Sequence, residues 1–212
     1  MIAVNDGCAI AGMMNSPRLL LVATSNAHKT AEIAAMLGSS WEVKDLRSYP
    51  ELVSPEENGD TFEANARIKA EAASTALPDL LVLSDDSGLE VDRLNQAPGV
   101  RSARYAGPEA TDADNRERLK AELRALGATG SPARFRCCMA LAQAGTTLAV
   151  FSGAVEGSVI LSEAGAGGFG YDPLFIPEGH TETFGVLPVE VKNQLSHRAR
   201  ALSQVIEWLA QR

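Results

Sequence analysis

Residues 18–38 read RLLLVATSNAHKTAEIAAMLG, and their pattern changes part-way along. Arg18-Leu19-Leu20-Leu21-Val22-Ala23 is a short apolar run without polar alternation, as in a strand buried on both faces of a sheet. Thr24-Ser25-Asn26 then offers three residues suited to cap a helix. Beyond them Ile33, Met36 and Leu37 recur at helical spacing, and Gly38 stops the run. A strand that passes through a polar loop into a helix is the opening of an α/β fold.

The rest of the chain extends that reading. Phe62 to about Ala76, rich in Ala, Glu, Lys and Arg and ended by Pro78, predicts a second helix. Leu80-Leu81-Val82-Leu83 is another buried-type strand, running into Ser84-Asp85-Asp86-Ser87-Gly88 at its end. Asp112 to about Leu126 predicts a helix ending at Gly127. Arg134 to Gln143 and Thr146 to Ser152 predict an antiparallel hairpin turning at Ala144-Gly145. A glycine-rich loop, Gly165 to Gly170, precedes Tyr171-Asp172-Pro173-Leu174-Phe175-Ile176. The last helix starts at Ser196, with Leu202, Val205, Ile206 and Leu209 on one face. With no internal repeat or linker, residues 18–212 form one mixed α/β domain.

Composition narrows the function. The 212 residues are 45% apolar, enough for a sizeable core, and carry 27 acidic against 19 basic groups, a net charge of -8. Such a chain gains nothing from the phosphate backbone of a nucleic-acid polymer. No apolar stretch approaches the roughly 20 residues that span a bilayer. Cys8, Cys137 and Cys138 show neither an even count nor metal-ligand spacing, which points to a reducing cytoplasm. Adjacent in a strand, Cys137 and Cys138 face opposite sides as small buried hydrophobes. Residues 1–17 lack the basic and apolar regions of a signal peptide. With Met13 and Met14 just before Arg18, they read as a disordered extension or a misassigned start.

Four segments carry chemistry. In Thr24-Ser25-Asn26-Ala27-His28-Lys29, a helix N-terminus presents free N–H groups to an anion, and Lys29 in the first turn opposes the helix dipole unless an anion binds there. Ser196 begins another helix whose first turn holds His197, Arg198 and Arg200, with Lys192 four residues upstream; these are cations at a positive helix end. Asp85 and Asp86 repel one another unless a cation satisfies them, and hard oxygens suit Mg²⁺. Glu56-Glu57 could add a ligand or be a solvated acidic turn. The loop Gly165-Ala166-Gly167-Gly168-Phe169-Gly170-Tyr171-Asp172 lets backbone approach a planar ligand, with Phe169 as a stacking face. Together these describe a nucleotide phosphate–Mg²⁺ site.

The ordered motifs resemble the inosine/xanthosine triphosphate pyrophosphatase family. They are Thr24-Ser25-Asn26-x-x-Lys29, Gly59-Asp60-Thr61-Phe62 with Asn65-Ala66, Ser84-Asp85-Asp86-Ser87-Gly88-Leu89, Ala97-Pro98-Gly99-Val100-Arg101-Ser102-Ala103-Arg104-Tyr105, Gly167-Gly168-Phe169-Gly170-Tyr171-Asp172-Pro173 and Ser196-His197-Arg198. The resemblance implies an elongated α/β domain on a long mixed sheet flanked by helices, usually a homodimer. It also implies Mg²⁺-dependent hydrolysis of non-standard purine triphosphates (dITP, ITP, XTP) between the α and β phosphates, cleansing the nucleotide pool. Carried over, Thr24, Ser25, Asn26, Ala27, His28 and Lys29 would hold phosphates, with Asp86 as general base and metal-associated carboxylate. Asp85 would support it, Glu56 would be a further metal ligand and Ser87 would touch substrate. Phe169, Gly170, Tyr171 and Asp172 would line the base pocket, and Lys192, His197 and Arg198 would bind base and phosphates. This chain departs from the family pattern at Ala64, where Glu63 is the nearby acid, and at Gln96, where glycine is common. Its N-terminal extension has no family counterpart.

Two other readings stay open. The related septum-inhibitor-like nucleotide pyrophosphatases share a phosphate loop but lack the Gly-Phe-Gly-Tyr-Asp-Pro and Ser-His-Arg elements. A nucleotide-sensing module without turnover would have no use for Asp85-Asp86.

Overall fold

Leu20, Leu21 and Val22 of β1 (Arg18–Val22) are fully buried because the strand has a parallel neighbour on each side. One is β2 (Trp41–Asp45), the other β3 (Leu81–Val91). β3 pairs antiparallel with β4 (Gly130–Gln143), β4 with β5 (Thr146–Ile160), and β5 with short β6 (Phe175–Pro177). The six-stranded mixed sheet runs β2-β1-β3-β4-β5-β6. This computed structural model describes residues 17–211, so the expectations for residues 1–16 and Cys8 fall outside the described residues.

Among the described residues five α-helices cover the sheet: α1 (Ala27–Leu37), α2 (Phe62–Ala76), α3 (Asp112–Ala125), α4 (Val189–Leu195) and α5 (His197–Ala210). The alternation of strand side chains divides the core. Leu20, Val22, Leu83, Met139 and Leu141 meet Ile33 of α1 and Leu202 and Val205 of α5. Ala140 and Ala142 meet Ala66 and Ala70 of α2 on the opposite face. A third cluster joins Leu119 and Leu123 of α3 to Leu89, Phe135 and Phe175. Helix α5 crosses β5 where only glycine fits: a Cβ on Gly153 would lie 2.2 Å from the His197 carbonyl oxygen and 2.6 Å from the Ala201 nitrogen.

The predicted helices match those observed to within a residue or two, and the hairpin forms with longer strands. Cys137 and Cys138 are buried in opposite clusters, as expected. Two readings change, and the departure at Gln96 gains a physical account. Ile206 is 39% exposed and does not join Leu202, Val205 and Leu209 in the core. β3 does not end at Leu83 but carries the acidic motif inside it, with Asp85 opposite Met139 and Asp86 opposite Cys138. Gln96 has φ of +70°, the region glycine adopts without strain, and its side chain is held by Arg134 at 2.7 Å and Asp92 at 3.2 Å.

Candidate active site

Because Asp85 and Asp86 are consecutive in a strand, their side chains leave the sheet on opposite faces. They do not share one cation, as their adjacency in sequence suggests. Asp85 turns toward α1 and α5 and is buried. Its carboxylate accepts from Lys29 Nζ at 2.6 Å, Ser87 Oγ at 2.7 Å, Arg198 Nε at 2.8 Å and Cys137 Sγ at 3.3 Å. Burial alone would raise its pKa; the Arg198 and Lys29 cations outweigh it and hold the carboxyl well below its usual range. Asp86 turns toward α2, where Lys69 Nζ lies at 2.7 Å and Asn65 Nδ2 at 3.4 Å. Here burial prevails over Lys69, and the carboxyl is raised. One step along the strand separates a permanent anion from a carboxylate able to take a proton.

The cations expected to await a ligand are paired within the protein. Lys29 holds Asp85, and two first-turn N–H groups of α1, those of His28 and Lys29, are taken by Asn26 Oδ1 at 2.9 and 3.3 Å. β1 leaves the sheet after the Ala23 N–H bonds the Leu83 carbonyl, while β3 continues. The Asp85 carbonyl beyond that point accepts from both Lys29 Nζ at 3.3 Å and Lys69 Nζ at 3.0 Å. Lys192, buried, sits between Asp172 at 2.6 Å and Glu32 at 2.7 Å, and Arg198 bonds the other Glu32 oxygen at 2.6 Å.

The expected four-cation end of α5 reduces to Lys192 and Arg198. His197 is buried and stacked on Phe135 at 4.8 Å; burial, with Arg198 beside it, pushes its pKa well below 6.5, so it is neutral. Its Nδ1 has no hydrogen-bond partner. Arg200 reaches away to the Ala154 carbonyl. Three groups share the faces of the Phe169 ring: Lys192 Nζ at 4.7 Å, Arg198 Cζ at 5.5 Å and the His28 ring at 5.4 Å. The loop bearing Phe169 turns at Gly168, with φ of +70° and the Asp172 carboxylate where a Cβ would stand. Phe169 N–H donates to that carboxylate at 2.8 Å, and the Tyr171 hydroxyl bonds the Ser102 carbonyl at 2.9 Å.

Two adjoining cavities result. One of about 490 Å³ is lined by Thr24, Ser25, Asn26, Lys29, Lys69 and Asp86, among others. The second, about 100 Å³, is lined by Phe169, Gly170, Tyr171, Asp172, Lys192, His197 and Arg198. Asn26, Lys29 and Ser87 border both. Ala27 and Glu56 are exposed and line neither, and His28 reaches the site only through Phe169.

A family model described as the Ham1 family matches residues 20–208. The chain belongs to the Ham1 family. The dITP/XTP pyrophosphatase of Halalkalibacterium halodurans is 45% identical over 190 residues, spanning 89% of this chain and 97% of that protein. The Geobacter sulfurreducens protein of the same name is 46% identical over 193 residues, 90% of this chain and 96% of its own. The solved HAM1 protein from Coxiella burnetii superposes with a TM-score of 0.81 at 36% identity, covering 92% of this chain and all of that one (100%). A nucleoside-triphosphatase / dITP/XTP pyrophosphatase from Mycobacterium abscessus gives 0.69 at 40% identity, over 88% and 98% of the two chains.

Within this Ham1 chain the acidic loop contributes Glu57 rather than Glu56: Glu57 lies 3.2 Å from Lys69 Nζ and lines the larger cavity. Asp86 and Glu57 therefore converge on one ammonium. Among the described residues no group of three or more His, Cys, Asp or Glu could hold a metal. Two carboxylates completed by substrate oxygens are the usual protein contribution to Mg²⁺, so this donor set fits that ion. Sequence reasoning gave no role to Lys69 and Glu32, and quoted Asn65 and Arg104 only as motif residues, although Arg104 lines the larger cavity. The available signal was spacing: Asn65 and Lys69 are four apart beside the Ala66–Ala70 face of α2. Glu63, the acid at the helix start, pairs with Arg67 at the surface.

Proposed function

We propose that the chain hydrolyses dITP, ITP and XTP to the monophosphate and pyrophosphate. The supporting observation is the division of labour between Asp85 and Asp86. Asp86, raised by burial and facing the larger cavity, accepts a proton from the attacking water as its oxygen bonds phosphorus and the bridging P–O bond between the α and β phosphates breaks. Asp85 carries no proton; it fixes Lys29 and Arg198 at the junction of the two cavities. Lys29 and Lys69 meet the triphosphate, where positioning and charge neutralisation do most of the work. Mg²⁺, held by Asp86 and Glu57, would supply neutralisation of phosphate charge. The smaller cavity receives the base against Phe169. The N–H groups of Arg198 and Lys192 not already taken by Asp85, Asp172 and Glu32 pair a 6-oxo group and find no acceptor in a 6-amino group, which sets the preference against adenine.

Residues 18–212 are the catalytic unit in this reading, working on the cytoplasmic nucleotide pool, as a homodimer. Among the described residues no helix is long and apolar enough to cross a membrane. The test is pyrophosphate release from dITP, ITP, XTP and dATP with Mg²⁺, in wild type and Asp86→Asn. The variant should lose roughly 10²–10⁴-fold in rate on the first three. Wild type that binds dITP but releases no more than the variant would make the chain a nucleotide-binding module instead.

A further inference from the structure

Helix α3 holds the base loop by both polar groups of one residue. The Gly170 N–H donates to Asp112 Oδ2 at 2.7 Å, and the Gly170 carbonyl accepts from Arg116 Nη1 at 2.9 Å. Neither side chain serves the helix itself. Thr111 and Asp114 already close the α3 N-terminus with a reciprocal capping box, so the Asp112 carboxylate is released to reach the loop. Arg116 is four residues on and so on the same side of the helix. Glu163 balances its charge, with Oε2 3.1 Å from Nε but outside hydrogen-bond geometry, and the other Glu163 oxygen is held by Lys120 at 2.8 Å.

These bonds pin consecutive peptide groups. The amide before Phe169 is held by Asp172, the next by Asp112, and the carbonyl after it by Arg116. Gly170, with φ of +61°, makes the bend possible. Phe169 thus projects from backbone whose orientation is set from α3, and Asp112 lies in the wall of the same cavity as the ring. We propose that Asp112 and Arg116 are positioning residues for base selection: by fixing the Gly170 peptides they set the plane of Phe169 and the width of the slot a purine must enter. This rests on the pyrophosphatase reading of the site. They act before chemistry, so their loss weakens base binding and discrimination and leaves the hydrolytic step intact.

The experiment combines kinetics with amide exchange. Asp112→Ala and Arg116→Ala should each raise KM for dITP about tenfold, the usual scale for one charge-assisted hydrogen bond. Their kcat should stay within about twofold of wild type and their preference for dITP over dATP should narrow. Asp112→Asn keeps a neutral acceptor for the Gly170 N–H and should recover most of the loss in KM. In the substrate-free protein, exchange in a peptide spanning residues 165–175 should accelerate in Asp112→Ala and not in Asp112→Asn. Unchanged exchange in Asp112→Ala, or a fall in kcat with KM preserved, overturns the proposal. Wild type that turns over no dITP sinks the pyrophosphatase reading instead, a failure distinct from unchanged exchange.

Discussion

One residue along β3 moves a carboxylate from a pocket with two cations to a pocket with a single lysine, and its affinity for a proton rises. The adjacency was legible in the sequence; the division was not, because Asp85 and Arg198 stand 113 positions apart. His197 shows the same limit. As sequence it adds charge to a helix end, whereas its burial against Phe135 makes it neutral. Its folded pKa is depressed, so its contribution to stability is present above the unfolded value of about 6.5 and is lost as pH falls. Below pH 6.5 the unfolded chain takes up a proton that the native chain refuses. Stability should drop by up to about 1.4 kcal/mol per pH unit from this group alone. Urea unfolding at pH 7, 6 and 5 should show that slope in wild type and a shallower one in His197→Gln; parallel slopes would contradict it.

At the level of elements, α1 and α5 were readable from apolar spacing and their caps, α2 from its Ala-, Glu-, Lys- and Arg-rich composition before Pro78, and α3 as a run ending at Gly127. β3 was misread because Ser, Asp and Gly are turn formers with poor strand propensity, and a run of them after Leu83 resembles a stop. Pairing with β4 overrides that local preference. Lys69 escaped notice for a related reason, since a lysine in an Ala-rich helix looks like solvated surface until α2 is laid on the sheet. Helix α5 depends on its seat over Gly153. Gly153→Ala sets a methyl group against backbone that cannot rotate away, so the helix must lift and carry His197 and Arg198 with it. The expected cost is roughly 1–3 kcal/mol in chemical denaturation, together with reduced turnover. A variant as stable and as active as wild type would show that the helix is not fixed there.

For the whole molecule, a net charge of -8 disfavours polymeric phosphate yet leaves room for a triphosphate, because Lys29, Lys69, Lys192 and Arg198 are gathered in the site. They are balanced there by Glu32, Asp85, Asp86 and Asp172, so the described site presents paired charges rather than an open basic patch. The site gathers residues from Thr24 to Arg198, and a ligand bridging them ties the sheet to all five helices, through Lys29, Lys69, Asp112, Lys192 and Arg198. Asp86→Asn, able to bind but not turn over, should melt about 5–10 °C higher with Mg²⁺ and dITP at a hundred times its Kd. An unchanged melting temperature would place the nucleotide elsewhere.

The early departure of β1 has its own consequence. Had that strand run two residues further beside β3, backbone N–H groups would have reached the Asp85 carbonyl, and neither Lys29 nor Lys69 could stand there. The opening is therefore measured in strand length: a notch two residues deep, cut by where one chain segment turns aside. Its existence depends less on the identity of the loop after Ala23 than on that loop's refusal to continue the sheet.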